Sequence, residues 1–545
     1  MNPAIIGLAT LATIARVFML LGISVVSGWI LAYGCIKSRK FETMFVPLTN
    51  ALESIPVIGF LPIVLVVFVG NLGGGLGVEI AADFLVFDAV AWNIWIGAYQ
   101  AFKTVPEHLL EVSDNYRFGF FGKLKDLYIP HSIPRLSSNL FASFADAFFY
   151  ISVSEVFSVG IQSASGIVRQ SYQVFGIGTL IAQFLQQSDF ADVYISLGFI
   201  ALAVIVATFG FIRFGQWAVA RYGVDTTIQI RHGTGGLRGQ LNQRYRWMSR
   251  YASRHLPKLR SHSVDDFATE PGLSLRQRIG KYLLISLAAL ISGYIVFTSI
   301  QVALGIGSAE WRSFLALTPF LLYSMATDYV RVGAVTLASL GLAVFAGYYL
   351  AVHHRAAAAI MPGVQAFAAF PAPAYFPLIF IATLPILENV LPTLYSEVYI
   401  FILGFLSCFY YVFFDFWIGV MGIPSEFWDV VDNHELGFFT KMRRVILPAS
   451  FPYLITGLSS TINSAWAGIA IGEYWPKIDG SHNLIAGVGM MKFIGANLAS
   501  GNIGAAAWVA LLFAVVVVIY GLFFTRNLMD IARKKYVVEE GVFAA

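Results

Sequence analysis

Apolar runs of about twenty residues, separated by short polar stretches, recur along the whole chain. At a rise of about 1.5 Å per residue, that length is what a helix needs to cross the hydrocarbon of a bilayer. The pattern predicts spanning helices at about 14–36, 51–70, 83–104, 135–158, 192–213, 281–304, 328–351, 366–386, 398–420, 455–475 and 504–526. A transmembrane β-barrel would show short alternating segments instead. The fold class expected is all-α, a polytopic helical membrane protein with about eleven transmembrane helices.

One of the polar stretches occurs twice. Residues 106–134 read PEHLLEVSDNYRFGFFGKLKDLYIPHSIP and residues 424–452 read PSEFWDVVDNHELGFFTKMRRVILPASFP, aligned without a gap. Identities include Pro106, Val112, Asp114, Asn115, Gly119, Phe120, Phe121, Lys123, Pro130, Ser132 and Pro134, so the chain is internally repeated. The repeat extends outward: Arg16, Tyr33, Pro47, Pro56 and Pro62 match Arg331, Tyr348, Pro362, Pro371 and Pro377, and Glu155 matches Glu473. Within each copy the apolar residues recur at intervals of three and four. This predicts two short amphipathic helices around Gly119 and Gly437, their apolar face lying along the membrane or in a partner's groove. Pro130 and Pro448 are expected to end the segment, and Pro134 and Pro452 to open the next membrane helix.

Composition agrees: 58% of residues are hydrophobic, 12% are charged, and mean hydropathy is +0.72. A soluble domain carries about a quarter charged residues. The charges fix an orientation. Lys37, Arg39 and Lys40 follow the first span, placing that end in the cytosol and the N-terminus outside. Alternation then puts both repeated loops, the basic linker and the C-terminal tail in the cytosol. The expected organisation is a first half at 1–215, a basic cytosolic linker at 216–278, a second half at 279–530 and a cytosolic tail at 531–545. Because both loops fall on one side, the halves are parallel repeats.

Little conventional site chemistry is present. The two cysteines, Cys35 and Cys408, lie in apolar runs, and no metal-ligand spacing occurs. The glycine-rich NLGGGLG at 71–77 lacks the Lys-Ser/Thr of a phosphate loop, so the chain is expected to bind no nucleotide itself. Ionisable residues within spans are the functional candidates. Asp146 lies midway along its span, with Ser464 and the adjacent Asn463 at the matching place in the second half. These could line a pathway, or Asp146 could be paired structurally. Glu155 and Glu473 lie twenty-one residues beyond Pro134 and Pro452, about 30 Å along a helix, which suggests an outer gate or a contact for a delivery protein.

The repeated loops resemble the cytoplasmic "EAA" loop of ABC importer permeases. Glu111 to Pro130 and Asp429 to Pro448 have that loop's acidic-to-proline spacing. The triplets read Glu111-Val112-Ser113 and Asp429-Val430-Val431, and the glycines Gly119 and Gly437 come two residues late, where the family pattern would meet Arg117 and Glu435. The helix break is therefore expected about half a turn later than in the family. The segments ESIPVIGFLP and AAFPAPAYFP look most like the nitrate, sulfonate and taurine type of permease, while fusion of two halves also occurs in ferric-iron and thiamine importers. The resemblance implies a permease, not an enzyme, in a prokaryotic cell membrane. Its partners would be two ABC ATPase subunits that bind the ATP and grip the loops through Glu111, Gly119, Pro130, Asp429, Gly437 and Pro448, and an extracytoplasmic substrate-binding protein. No nucleic acid partner is implied, and the substrate would be a small anion. A different class, an ion-coupled secondary transporter with parallel repeats, also fits a two-fold membrane protein, but it calls for carboxylates near the bilayer midplane in both halves.

Overall fold

The computed structural model describes residues 3–53, 57, 64, 67, 68, 72, 74–116, 118–156, 159–162, 169–172, 174–222, 307–423, 425–479, 481–500 and 502–520. The first half opens with α1 (Pro3–Lys37) and the amphipathic α2 (Arg39–Glu53), then α3 (Gly74–Lys103) and the short α4 (Glu107–Asn115). One turn (Phe120–Gly122) and a π-helical turn (Lys123–Tyr128) then run into α5 (Ile129–Val156). A hairpin of β1 (Val159–Gln162) and β2 (Arg169–Tyr172) pairs Val159 with Tyr172. It is followed by α6 (Ile177–Gln186) and α7 (Phe190–Tyr222).

The second half repeats this order. It has α8 (Ser308–Leu342), continued to Val352 through a π turn, then the amphipathic α9 (His354–Ala368), α10 (Ala372–Val390), α11 (Tyr395–Met421) and the short α12 (Ser425–Asn433). One turn (Phe438–Lys441) and a π turn (Met442–Ile446) lead into α13 (Leu447–Glu473). The hairpin β3 (Tyr474–Trp475) with β4 (Leu484–Ile485), then α14 (Met490–Ser500) and α15 (Ile503–Tyr520), close the described part. Among the described residues, seven helices are long and apolar enough to cross a membrane. α5 spans the same length but is less apolar, because Asn139, Asp146 and Glu155 lie along it. The span expected at 281–304, most of that at 51–70, the tail and the linker beyond Tyr222 lie outside the described residues.

In the first half α1, α3 and α5 pack against one another, and in the second α8, α11 and α13 do the same. Small residues let α11 and α13 approach closely: a Cβ at Gly468 would lie 2.7 Å from the Leu403 carbonyl, and one at Gly457 would lie 2.8 Å from Val412 Cα. Trp466 of α13 is fully buried against Tyr329 and Phe513, and Tyr399 of α11 against Phe376 and Phe380 of α10. The halves interlock, since α10 packs on α5 and α9 on α7.

Three boundaries differ from those expected. α8 begins at Ser308, twenty residues or about 30 Å before position 328, and its run to Val352 is too long to lie wholly within hydrocarbon. The helices expected at 135 and 455 begin much earlier, and Pro130 and Pro448 do not end the preceding segment, because helix is continuous through both. The widened π turn sits just ahead of each proline. It takes up the ring's clash with the carbonyl four residues back, so the helix passes instead of stopping. The hairpins and short helices α6 and α14 were not legible in the hydropathy pattern, being too short to register as periods.

Candidate functional site

Each repeated loop is a helix, a tight turn and a helix that runs on into the membrane segment. Both are closed by the same bond: Phe118 N–H donates to the Ser113 carbonyl at 2.9 Å, and Leu436 N–H to the Val431 carbonyl at 3.2 Å. This six-to-one bond closes a helix C-terminus when the residue before the donor is left-handed. In the second loop that residue is Glu435, whose φ is 47°. Gly437 has φ −60° and ψ 154° and instead begins the next helix. In the second loop the break therefore falls at Glu435, where the family pattern would put its glycine, not half a turn later as expected. The late glycine serves the restart of the helix, not its end.

The apolar stripe also faces otherwise than expected. Leu109, Leu110, Leu124 and Leu127 pack on the core of their own half, and Tyr128 is buried against Tyr33 and Phe102. In the second copy Val431, Met442 and Ile446 are buried. What remains outward is mixed, with Val112, Tyr116, Lys125, Arg443 and Arg444 exposed beside acidic and aromatic groups. Glu111 and Asp429 are exposed, and the matched pair Phe121 and Phe439 are 61% and 81% exposed. Lys123 pairs with Asp114 across the first break.

A cavity of about 780 Å³ lies between the halves, lined from α3, α5 and α7 on one side and α11 and α13 on the other. Asp146 and Asn463 both line it, with Ser464. Tyr411 of α11 donates a hydrogen bond across the interface to Asp146 of α5. The repeat has exchanged partners here. A Cβ at Gly97 would collide with Asn139, whereas at the matching places Asp415 faces Gly457. Each half thus keeps one polar side chain against one glycine, on opposite helices, and both Asn139 and Asp415 line the cavity.

Residues 339–535 match the family described as binding-protein-dependent transport system inner membrane component. That part of the chain belongs to the ABC importer permeases. No curated protein matches the chain.

In this permease Glu155 and Glu473 are buried inside their own halves and do not face the cavity. Arg331 of α8 binds Glu473 at 2.8 Å, Asp328 at 2.8 Å and Glu397 at 2.5 Å, and donates to the Val488 carbonyl at 2.8 Å. Arg16 of α1 binds Glu79 at 2.7 Å, Asp83 at 3.0 Å and Glu155 at 3.4 Å. Each carboxylate also receives the N-terminus of the following short helix. Gly178 N–H donates to Glu155 at 2.8 Å and Lys492 N–H to Glu473 at 3.0 Å, where amides and dipole favour an anion. Each glutamate so joins its helix to an arginine of a neighbouring span and to the short helix that follows. Sequence reasoning paired the arginines and the glutamates across the repeat but did not join Arg16 to Glu155. The missed signal is the glycine ahead of each short helix: a Cβ at Gly176 or Gly489 would overlap the Glu155 or Glu473 carboxylate.

Proposed function

We propose that this permease subunit forms the whole substrate pathway of an ABC importer, with two fused permease halves, the cavity between them as part of the pathway, and the two loops as the grips of two separate ATPase subunits. An extracytoplasmic binding protein would deliver the substrate. The setting is a prokaryotic cell membrane, with the loops and C-terminus cytosolic and the N-terminus outside. The observation that carries this reading is continuity. The loop helices after Gly119 and Gly437 run without a break into α5 and α13, the helices that bear Asp146 and Asn463. Motion imposed on Phe121 and Phe439 would pass along stiff rods to the cavity wall.

The nitrate, sulfonate or taurine substrate that the resemblance implies fits this lining poorly, because Glu53, Asp146 and Asp415 line the cavity and no described lining residue is basic. The test of the coupling is co-purification with the cognate ATPase. Phe121→Arg with Phe439→Arg is expected to lower ATPase recovery about tenfold or more while membrane insertion is retained. Normal recovery with the double variant would remove the loops from the coupling. Uptake that persists without the ATPase would favour the ion-coupled transporter.

A further inference from the structure

We propose that the cavity between the halves takes an organic cation, an ammonium group on a small apolar body, and not a small anion. This deepens, and rests on, the reading of the cavity as the substrate pathway. Glu53 of α2, Asp146 of α5 and Asp415 of α11 all line it, and among the described lining residues there is no lysine, arginine or histidine. Tyr411 satisfies one oxygen of Asp146. Asp415 has no hydrogen-bond or ion-pair partner among the described residues, although it is packed against Gly457. A carboxylate held in a low-dielectric wall without a counter-charge is costly, and a permeant cation supplies the missing charge. An anion would meet like charge from three helices with no donor of opposite sign.

The rest of the wall separates an organic cation from a bare metal ion. Trp92, Tyr411 and Trp417 line the same space, and aromatic faces attract weakly hydrated ammonium groups. Among the described residues no group of three His, Cys, Asp or Glu is placed to hold a metal ion. A volume of about 780 Å³ is that of a small-molecule site.

The test uses the full-length permease in nanodiscs, with tryptophan fluorescence followed during titration with choline, with its uncharged isostere dimethylbutanol, and with methanesulfonate. Choline is expected to give a saturable change with an affinity at least about tenfold above the alcohol, and Asp415→Asn is expected to lose about tenfold. The change should disappear in Trp92→Phe with Trp417→Phe. Equal binding of the alcohol, tighter binding of methanesulfonate, or no effect of Asp415→Asn overturns the proposal. Labelling of Ser464→Cys by a neutral maleimide separates the two failures. A labelled cavity that binds methanesulfonate removes the cation and leaves the pathway, whereas no labelling and no binding of any probe removes both.

Discussion

Tyr411 in the second half donates its hydroxyl hydrogen to Asp146 in the first, joining the halves across the cavity they enclose. The position matching Asp146 is Ser464 and that matching Tyr411 is Asn93, so the link is made once, on one side of the pseudo-axis. A hydrogen bond to a charged group is worth about 1.5–3 kcal/mol. Tyr411→Phe removes it with little change of shape and should loosen the contact between the halves. The expected outcome is about tenfold faster maleimide labelling at Ser464→Cys. An unchanged rate would show that the bond does not hold the halves together.

The two arginine clusters are not equivalent in depth. Arg331 is 9% exposed and faces two fully buried carboxylates, Asp328 and Glu473, whereas the Arg16 partners Glu79 and Asp83 are 37% and 29% exposed. Removing one partner of a buried ion pair costs about 3–5 kcal/mol, because the other charge is left uncompensated. Arg331→Leu, which strands two buried carboxylates, should therefore lower the thermal midpoint of the purified permease more than Arg16→Leu, which strands only Glu155 while Glu79 and Asp83 can recruit water. Equal losses would contradict the burial argument.

Gly176 and Gly489 leave room for the glutamates beneath them, so an added methyl must displace a buried carboxylate. Either alanine substitution should destabilise by about 1–3 kcal/mol. At Gly119 and Gly437 a Cβ meets nothing within 4 Å, so alanine there should leave the midpoint nearly unchanged. Thermal unfolding of the four single variants checks the contrast, and a reversed order would refute it.

Glu435 holds the left-handed turn of the second loop at φ 47°. A non-glycine residue in that conformation costs about 1–2 kcal/mol. Glu435→Gly should relieve most of this despite the entropy of glycine, a net gain of up to about 1 kcal/mol. Slower amide exchange at Leu436 would report it, and faster exchange would show that the glutamate side chain secures the turn.

Asp479 lies in the hairpin loop between β3 and β4. Burial would raise its carboxyl, but hydrogen bonds from the His482 and Ser481 amides and side chains outweigh burial and hold it below the usual carboxylate range. The stabilisation is present above the unfolded-state value of about 3.9 and is lost as pH falls through the lower folded-state value. Local exchange protection at Ser481 and His482 should drop in that acid window in the native protein. Asp479→Asn should abolish the pH dependence, and persistence of it would assign the effect elsewhere.

Hydropathy alone determined that the chain is a bundle of membrane helices, and the offset repeat alone located both loops and matched Arg16 with Arg331 and Glu155 with Glu473. Those features are legible because bilayer thickness and gene-level repetition act on long stretches, where many residues carry one signal. Tertiary structure decided the rest. It turned the loop leucines inward, because an apolar stripe beside a membrane bundle is buried soonest against its own core. It put the helix break at Glu435, since the six-to-one bond to Val431 outweighs the strain of one left-handed residue. It carried helix through Pro130 and Pro448 by widening a single turn. It also drew Arg16 to Glu155 and Asp146 to Tyr411, contacts between residues more than a hundred positions apart, which side-chain geometry specifies and linear spacing does not.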